Sequence, residues 1–338
     1  HYYADIKLPS AAYEYKFMVD GMWAVDPFRA VTADAHFNHT FNLASVAKRA
    51  RKASMELGFV PDAKLPVTEI KVPTLELFKI HGHSMNVVGS KIWIFGGCCQ
   101  SSFLGSMIVI SPHNFSTEIF QVMDPNAPEQ LGFHKTITYG QKILMFGGHN
   151  EGMVLDRYSA FDTISNSWTS CVIKQMPQKR EMFTLNHKPQ STVAYLFGGY
   201  FCSHDLEYEQ NFNDLHALHL DTMCFEQLSA NNAPEARCHH TAEFIDASLY
   251  VFGGMQISGN AKICFNDVHA LNLQNHDALA WTKVEALGEK PRPRYGHIML
   301  KLGSNLIVHG GTAFDCSTAT NVYMWDLWAF NTKNYSWS

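Results

Sequence analysis

Ile92-Trp-Ile-Phe-Gly-Gly97 is the stretch that decides the fold, because an apolar run closed by Gly-Gly occurs five times in the chain. Such a run is typical of a buried β-strand, and the adjacent glycines predict a tight turn after it, on a backbone path that other residues disfavour. The intervals between pairs are 51, 51, 55 and 57 residues, which is the period of a propeller blade. The pairs are Gly96-Gly97, Gly147-Gly148, Gly198-Gly199, Gly253-Gly254 and Gly310-Gly311.

Other residues stand at fixed distances from these pairs. In four of the five units a histidine precedes the first glycine by 13 residues, whereas the third unit reads Arg180-Glu-Met-Phe183. An aromatic residue follows the second glycine by 20 to 27 residues. This spacing resembles the kelch repeat, in which each unit is one four-stranded blade. The histidines are His83, His134, His240 and His297, and the aromatics are Phe120, Trp168, Phe225, Trp281 and Trp337.

The resemblance implies an all-β kelch propeller over residues 67–338. Five repeats are visible, and kelch rings usually have six or seven blades. Residues 67–72 (Val-Thr-Glu-Ile-Lys-Val) alternate like an outer blade strand. We therefore expect six or more blades and a propeller that is incomplete at its C-terminus, with residues 67–72 in the closing blade.

The segment before the repeats has a different pattern. Tyr13 to Val19 alternates like a strand, Asp20-Gly21 is typical of a hairpin turn, and Met22 begins a return strand. Residues 8–43 resemble the C-terminal half of the glycogen-binding carbohydrate-binding module of the AMP-activated protein kinase β subunit. The resemblance implies a partial immunoglobulin-like β-sandwich over residues 1–43.

The same resemblance implies an α-glucan site formed by Lys16, Trp23 and Asn38. An indole face can stack on a sugar ring, and Lys and Asn can hydrogen-bond to its hydroxyls. Ala11 stands where the family usually has Gly, and the family's second stacking Trp would lie upstream of this chain. The alternative is a structural dock in which Trp23 packs against protein.

Residues 44–66 form a linker with five basic and two acidic residues. A small apolar helical face ends near Gly58, which predicts a short helix. One interpretation is a solvated helix packed on a neighbouring domain. The other is that Lys48–Lys52 docks on an acidic partner such as tubulin.

Composition narrows the class of protein. The chain is 46% hydrophobic and 17% charged, with a net charge of −5 and no run of 18 apolar residues. We therefore expect a cytoplasmic protein without a membrane span or nucleic-acid partner. The eight cysteines occupy no repeat-fixed position, so we expect reduced thiols. The combination of the two regions is compatible with a cytoskeletal or ciliary assembly.

Catalysis and metal binding are not indicated. The sequence contains no nucleophile motif, phosphate loop or His-Glu-x-x-His element. Seven of the 18 histidines occupy repeat positions, where packing and hydrogen bonding within a blade explain them. They are His83, His134, His216, His240, His269, His297 and His309. The sequence therefore predicts no enzymatic activity, no cofactor and no metal site.

With catalysis and metal binding not indicated, the function that the sequence favours is recognition of a binding partner. The segment Tyr200 to Phe212 is predicted to be a long loop, rich in aromatic and acidic residues. Phe201, Glu207, Tyr208 and Phe212 are candidates for contact with a basic protein partner, unless the aromatics only cover the blade edge. We expect a non-catalytic adaptor or scaffold. The alternatives are a glycogen- or starch-targeting protein and the regulatory part of a larger enzyme whose catalytic domain follows residue 338.

Overall fold

The computed structural model describes residues 80–338, apart from gaps at 100–101, 115, 122–123, 125, 151–152, 157, 189–190, 206, 260 and 316–319. It also describes the backbone of two short antiparallel strands, β1 (Met18–Val19) and β2 (Met22–Trp23). Several predicted features lie outside the described residues. These are Lys16, Asn38, the side chain of Trp23, the linker at 44–66 with Lys48–Lys52, and the strand at 67–72.

Five four-stranded antiparallel sheets, here called blades 1 to 5, follow one another along the chain, and each contains one Gly-Gly pair. Within a blade the strands lie side by side in chain order. The described part of the chain is built almost wholly of strands, which confirms the all-β prediction. A short 3-10 helix, His276–Ala278, precedes the last strand of blade 4. The strands are β4 (Ser84–Val88), β5 (Lys91–Phe95), β8 (Ser106–Ser111) and β9 (Ser116–Gln121) in blade 1; β10 (Lys135–Tyr139), β11 (Lys142–Phe146), β14 (Tyr158–Asp162) and β15 (Ser167–Ser170) in blade 2; β16 (Thr184–His187), β17 (Val193–Cys202), β18 (Glu209–His219) and β19 (Cys224–Leu228) in blade 3; β20 (Thr241–Ile245), β21 (Ser248–Phe252), β24 (Val268–Asn272) and β25 (Trp281–Val284) in blade 4; β26 (Ile298–Leu302), β27 (Asn305–His309), β30 (Leu327–Asn331) and β31 (Ser336–Trp337) in blade 5.

Beyond each Gly-Gly pair the second and third strands continue as a two-stranded ribbon. The end of the propeller that carries these ribbons is called the ribbon face. In blade 3 the strands run through the pair without a break in the hairpin, with a register shift between Phe197 and Gly199. The ribbon strands of the other blades are β6 (Cys98–Cys99) with β7 (Ser102–Phe103), β12 (His149–Asn150) with β13 (Met153–Val154), β22 (Met255–Ser258) with β23 (Ala261–Cys264), and β28 (Thr312–Asp315) with β29 (Thr320–Tyr323); β3 (Ile80–His81) pairs with β6.

Two expectations about these segments were wrong. The Gly-Gly pair is a kink in a long hairpin and not a tight turn, because φ values of +66° at Gly198 and +111° at Gly199 bend the strand while pairing resumes beyond it. The segment Tyr200 to Phe212 is not a long loop either. It belongs to β17 and β18 except for residues 203–208, since the antiparallel register continues from Gly199 paired with Phe212 to Cys202 paired with Glu209.

Close approach of the backbone explains why both positions of the pair are glycine. A Cβ atom on Gly198 would lie 2.7 Å from the carbonyl oxygen of Arg237 and 2.8 Å from Cε1 of His240, both in the next blade. A Cβ atom on Gly199 would lie 2.9 Å from Cβ of Phe183 in its own blade. The first glycine therefore lets adjacent blades meet, and the second lets the strand pass the start of its own blade.

The repeat aromatic on the fourth strand couples each blade to the preceding one. Trp281 of blade 4 packs on Phe197 of blade 3 with 4.9 Å between ring centroids, and Trp168 packs on Phe95 at the same distance. All four rings are buried. Because such rings bury large apolar areas, the hydrophobic core is divided into layers between neighbouring blades.

Candidate functional site

The repeat histidines link neighbouring blades. Nε2 of His134 lies 2.8 Å from Oγ of Ser84 in blade 1, and Nε2 of His297 lies 2.6 Å from Oγ1 of Thr241 in blade 4. His240 makes the same contact with Thr184. Burial lowers the pKa of His134 and of His297 to about 3, so both rings are neutral at pH 7. These three histidines hold adjacent blades together, so the expectation that they serve hydrogen bonding within one blade was wrong for them.

Among the described residues, three buried arginines form ion pairs, each within its own blade. Arg237 donates to both carboxylate oxygens of Asp267, at 2.7 and 3.0 Å, and to the carbonyl oxygen of Gly253 at 3.0 Å. Burial raises the pKa of Asp267, but hydrogen bonds from His269 and Arg237 outweigh it and hold that pKa well below its usual range. The spacing of the repeat did not reveal this carboxylate. The corresponding pairs are Arg180–Asp214 and Arg294–Asp326.

A cavity of about 280 Å³ opens where the first strands of the blades begin. It is called the axial mouth. The residue before the repeat position has a left-handed backbone in every blade, with φ of 58° at Phe133, 57° at Met182 and 52° at His239. These three side chains line the mouth, and the Phe133 and His239 rings meet at 6.1 Å. Gly82 and Gly296 occupy the same position in blades 1 and 5, with φ of 63° and 62°.

The tip of the β17–β18 hairpin carries three of the predicted contact residues. The rings of Phe201 and Tyr208 lie 5.9 Å apart, and 52% of Tyr208 is exposed. Glu207 is also exposed, and Nζ of Lys179 lies 5.3 Å from the Phe201 ring centroid. Together they form an aromatic and acidic tip on the ribbon face.

Phe212, the fourth predicted contact residue, is buried. Only 5% of it is exposed, because β18 turns this side chain inward and the guanidinium of Arg180 lies 3.9 Å from its ring centroid. The structure therefore removes Phe212 from the surface that a partner could reach.

Contacts that the sequence did not reveal support the hairpin tip. Asn211 exchanges two hydrogen bonds with the backbone of Ile257 in the blade 4 ribbon, at 2.6 and 3.0 Å. Glu209 accepts from the Gly259 amide at 2.6 Å and from the Tyr200 hydroxyl at 2.8 Å. Three of these side-chain hydrogen bonds hold the hairpin against the blade 4 ribbon, and the bond between Tyr200 and Glu209 joins its own two strands.

A metal centre is not evident in the part of the chain that the structure describes. There, no three His, Cys, Asp or Glu side chains are grouped so that they could hold a metal ion. In the same part, six cysteines are free thiols, namely Cys98, Cys99, Cys171, Cys202, Cys224 and Cys238. Among the described residues, no helix is both long and apolar enough to cross a membrane.

Comparison with known proteins agrees with this architecture. The KLHDC2/KLHL20/DRC7 Kelch-repeats domain matches residues 64–199 and 172–338. The glycogen recognition site of AMP-activated protein kinase matches residues 1–52, which confirms the predicted resemblance of the N-terminal segment.

Curated relatives share the repeat region. Acyl-CoA-binding domain-containing protein 4 of Arabidopsis thaliana is 28% identical over 245 residues, which cover 68% of this chain and 34% of that protein. Kelch domain-containing protein 3 of Homo sapiens is 25% identical over 278 residues, which cover 75% of this chain and 69% of that protein. The chain thus spans about a third of the Arabidopsis relative. Since the kelch matches extend over residues 64–338, the chain belongs to the kelch-repeat family.

Proposed function

We propose that this chain is a non-catalytic adaptor that holds a protein partner on its ribbon face, with the hairpin tip as the main contact. Kelch membership makes the propeller a protein-interaction domain. The observation that carries the proposal is the pair formed by half-buried Phe201 and exposed Tyr208, beside exposed Asp205 and Glu207. Aromatic side chains in such positions are typical binding anchors.

The hydrogen bonds that fix the hairpin tip favour binding of a partner. Asn211 and Glu209 fix the hairpin to the blade 4 ribbon, so ordering this surface costs little when a partner arrives. Asp205 accepts from the Ser203 hydroxyl and the Glu207 amide, and these bonds lower its pKa. Asp205 is therefore ionised at neutral pH. We infer a basic partner that places an apolar residue between lysines or arginines.

Selection of displayed random peptides on the immobilised chain tests the proposal. We expect enriched peptides to combine an apolar residue with basic residues, and to bind the Phe201→Ala/Tyr208→Ala variant at least about tenfold more weakly. Ile164→Ala is the matched control, because Ile164 is 75% exposed on the β14–β15 turn at the opposite end of blade 2. If the selected peptides bind the double variant as tightly as they bind the unaltered chain, the proposal is wrong.

A second candidate function is targeting to α-glucan, which the match over residues 1–52 favours. Lys16, Trp23 and Asn38 would supply the contacts. We expect the chain to co-sediment with glycogen and a smaller fraction of the Trp23→Ala variant to sediment, while the Ile164→Ala control behaves like the unaltered chain. Equal sedimentation of the Trp23→Ala variant, or none at micromolar protein, contradicts this function.

The cytoskeletal or ciliary setting remains a prediction and depends on the basic run Lys48–Lys52. We expect this run to support binding to microtubules through their acidic surface. Microtubule co-sedimentation should then decrease when Lys48 and Lys52 are changed to Glu, and the decrease should be greater at low salt. Unchanged sedimentation of that variant would contradict the prediction.

A further inference from the structure

A cleft of about 650 Å³ lies beside the blade 3 hairpin, between β18, β19 and the connection from blade 2. Gln210 and Asn211 of β18 both line the cleft, and Asn211 also bonds to the blade 4 ribbon. The volume is within the range of small-ligand sites.

Side-chain amides from three elements line this amide cleft. Gln175 and Gln178 come from the connection, Gln210 from β18 and Gln227 from β19. The amides of Gln178 and Gln227 make no hydrogen bond within the described part of the chain. Gln210 uses its oxygen to accept from the Tyr208 hydroxyl, which leaves its NH2 group as a donor. The cleft therefore presents both donors and acceptors.

The floor of the amide cleft is electrically balanced. Arg180 pairs with both carboxylate oxygens of Asp214, and Nε2 of His216 lies 2.7 Å from one of them. Phe212 and Phe225 are 5% and 0% exposed, so they offer no open hole for an apolar side chain. This combination disfavours phosphates and charged peptides, while Met176, 41% exposed in the lining, adds an apolar surface beside the amides. It suits a neutral ligand rich in groups that both donate and accept.

Hydroxyl groups have that property, since each can donate and accept with an amide. Tyr208, which is 52% exposed and bonded to Gln210, adds a ring face at the rim on which a sugar can stack. Residues 1–52 match a glycogen recognition site, and glycogen is an α-glucan. This match indicates α-glucan as the saccharide for the cleft in the same chain. We propose that the amide cleft binds an α-glucan oligosaccharide, as a second contact separate from the one at Trp23.

Two contacts with one glucan polymer would hold the protein on that polymer more strongly than one contact. Once one site holds a glucan chain, the other meets the same chain at a high effective concentration. The cleft is nevertheless proposed on its own lining, so it does not require the N-terminal site to bind. It does not require the protein partner of the hairpin tip either.

Binding of maltoheptaose to the whole chain, followed by saturation-transfer NMR and calorimetry, tests the proposal. The Trp23→Ala variant removes the N-terminal contact, and we expect it still to bind. Adding Gln178→Ala and Gln227→Ala to that variant should weaken binding at least about tenfold. Both glutamines are exposed, so the fold should persist, which an unchanged urea midpoint would verify. The matched control adds Gln256→Ala and Gln274→Ala, which lie outside the cleft, and should bind like the Trp23→Ala variant.

Two results would overturn the proposal. One is loss of all maltoheptaose binding in the Trp23→Ala variant. The other is binding that the Gln178→Ala/Gln227→Ala changes leave intact. If those changes instead weaken binding of the selected peptides, and maltoheptaose gives no binding signal, the cleft is a peptide site and the proposal fails. Peptide binding that depends only on Phe201 and Tyr208 would leave the protein-partner function standing.

Discussion

Acidification should destabilise this propeller through its buried repeat histidines. In the folded chain His134 is buried and its pKa is lowered to about 3, from an ordinary value of 6.5. The unfolded chain therefore binds a proton at this position below pH 6.5, whereas the folded chain does not until about pH 3. The stabilisation is complete above pH 6.5 and is lost as the pH falls between those values.

The size of the effect follows from the two pKa values. Between pH 7.5 and pH 5, one histidine of this kind lowers the free energy of unfolding by about 2 kcal/mol. His297 has the same lowered pKa of about 3, so the two together account for about 4 kcal/mol. That is a large fraction of the stability of a typical domain.

The His134→Gln variant isolates one contribution. Glutamine keeps a donor that can reach Ser84 but takes up no proton. The unaltered chain should be the more stable at pH 7.5, and its advantage should shrink by about 2 kcal/mol by pH 5. Urea unfolding followed by tryptophan fluorescence measures both. His113→Gln, on the exposed β8–β9 turn, should retain the full pH dependence. A stability difference that stays constant from pH 7.5 to 5 would refute the assignment of His134 as a buried neutral ring.

Two further predictions concern the buried ion pair of blade 4 and the close approach between blades 3 and 4. Arg237→Met should lower the free energy of unfolding by about 3 kcal/mol, because it leaves Asp267 largely buried without its counter-charge. The exposed Arg292→Met should change it by less than about 0.5 kcal/mol, and equal urea midpoints for the two variants would contradict the buried pair. Gly198→Ala should lower the free energy of unfolding by well over about 2 kcal/mol, because its Cβ would lie 2.7 Å from a backbone oxygen. Gly140 has a φ of +60° but open space around it, so Gly140→Ala should lower the free energy of unfolding by about 1 kcal/mol. Thermal unfolding compares these two, and similar losses would show that the close approach at Gly198 is unimportant.

The repeat was accessible to sequence reasoning because it depends on local spacing. An apolar run before Gly-Gly predicts the second strand of a blade, and Trp168, 20 residues after Gly148, predicts the fourth. Both lie in strands of the structure, in β11 up to Phe146 and in β15. The resemblance of these offsets to kelch repeats was therefore enough to predict the fold class.

Pairings between distant residues were not accessible. Arg237 and Asp267 are 30 residues apart, and neither has a partner that the spacing of the repeat specifies. Phe212 was expected at the surface for a related reason. Its burial depends on β18 continuing through the predicted loop and on Arg180 of the preceding connection covering its ring. Such contacts follow from how far each hairpin extends, which the local pattern leaves open.

The strained backbone at the axial mouth bears on where a partner binds. A left-handed conformation at Phe133, Met182 and His239 costs about 1 to 2 kcal/mol each, and glycine adopts it at the equivalent positions of blades 1 and 5. Backbone stability alone therefore does not account for side chains at these three positions. They extend into a cavity at the start of the first strands, which is the same end of the blades as the ribbons. A partner held by the hairpin tip would thus lie on the face into which the mouth opens, which supports the ribbon face as the binding surface.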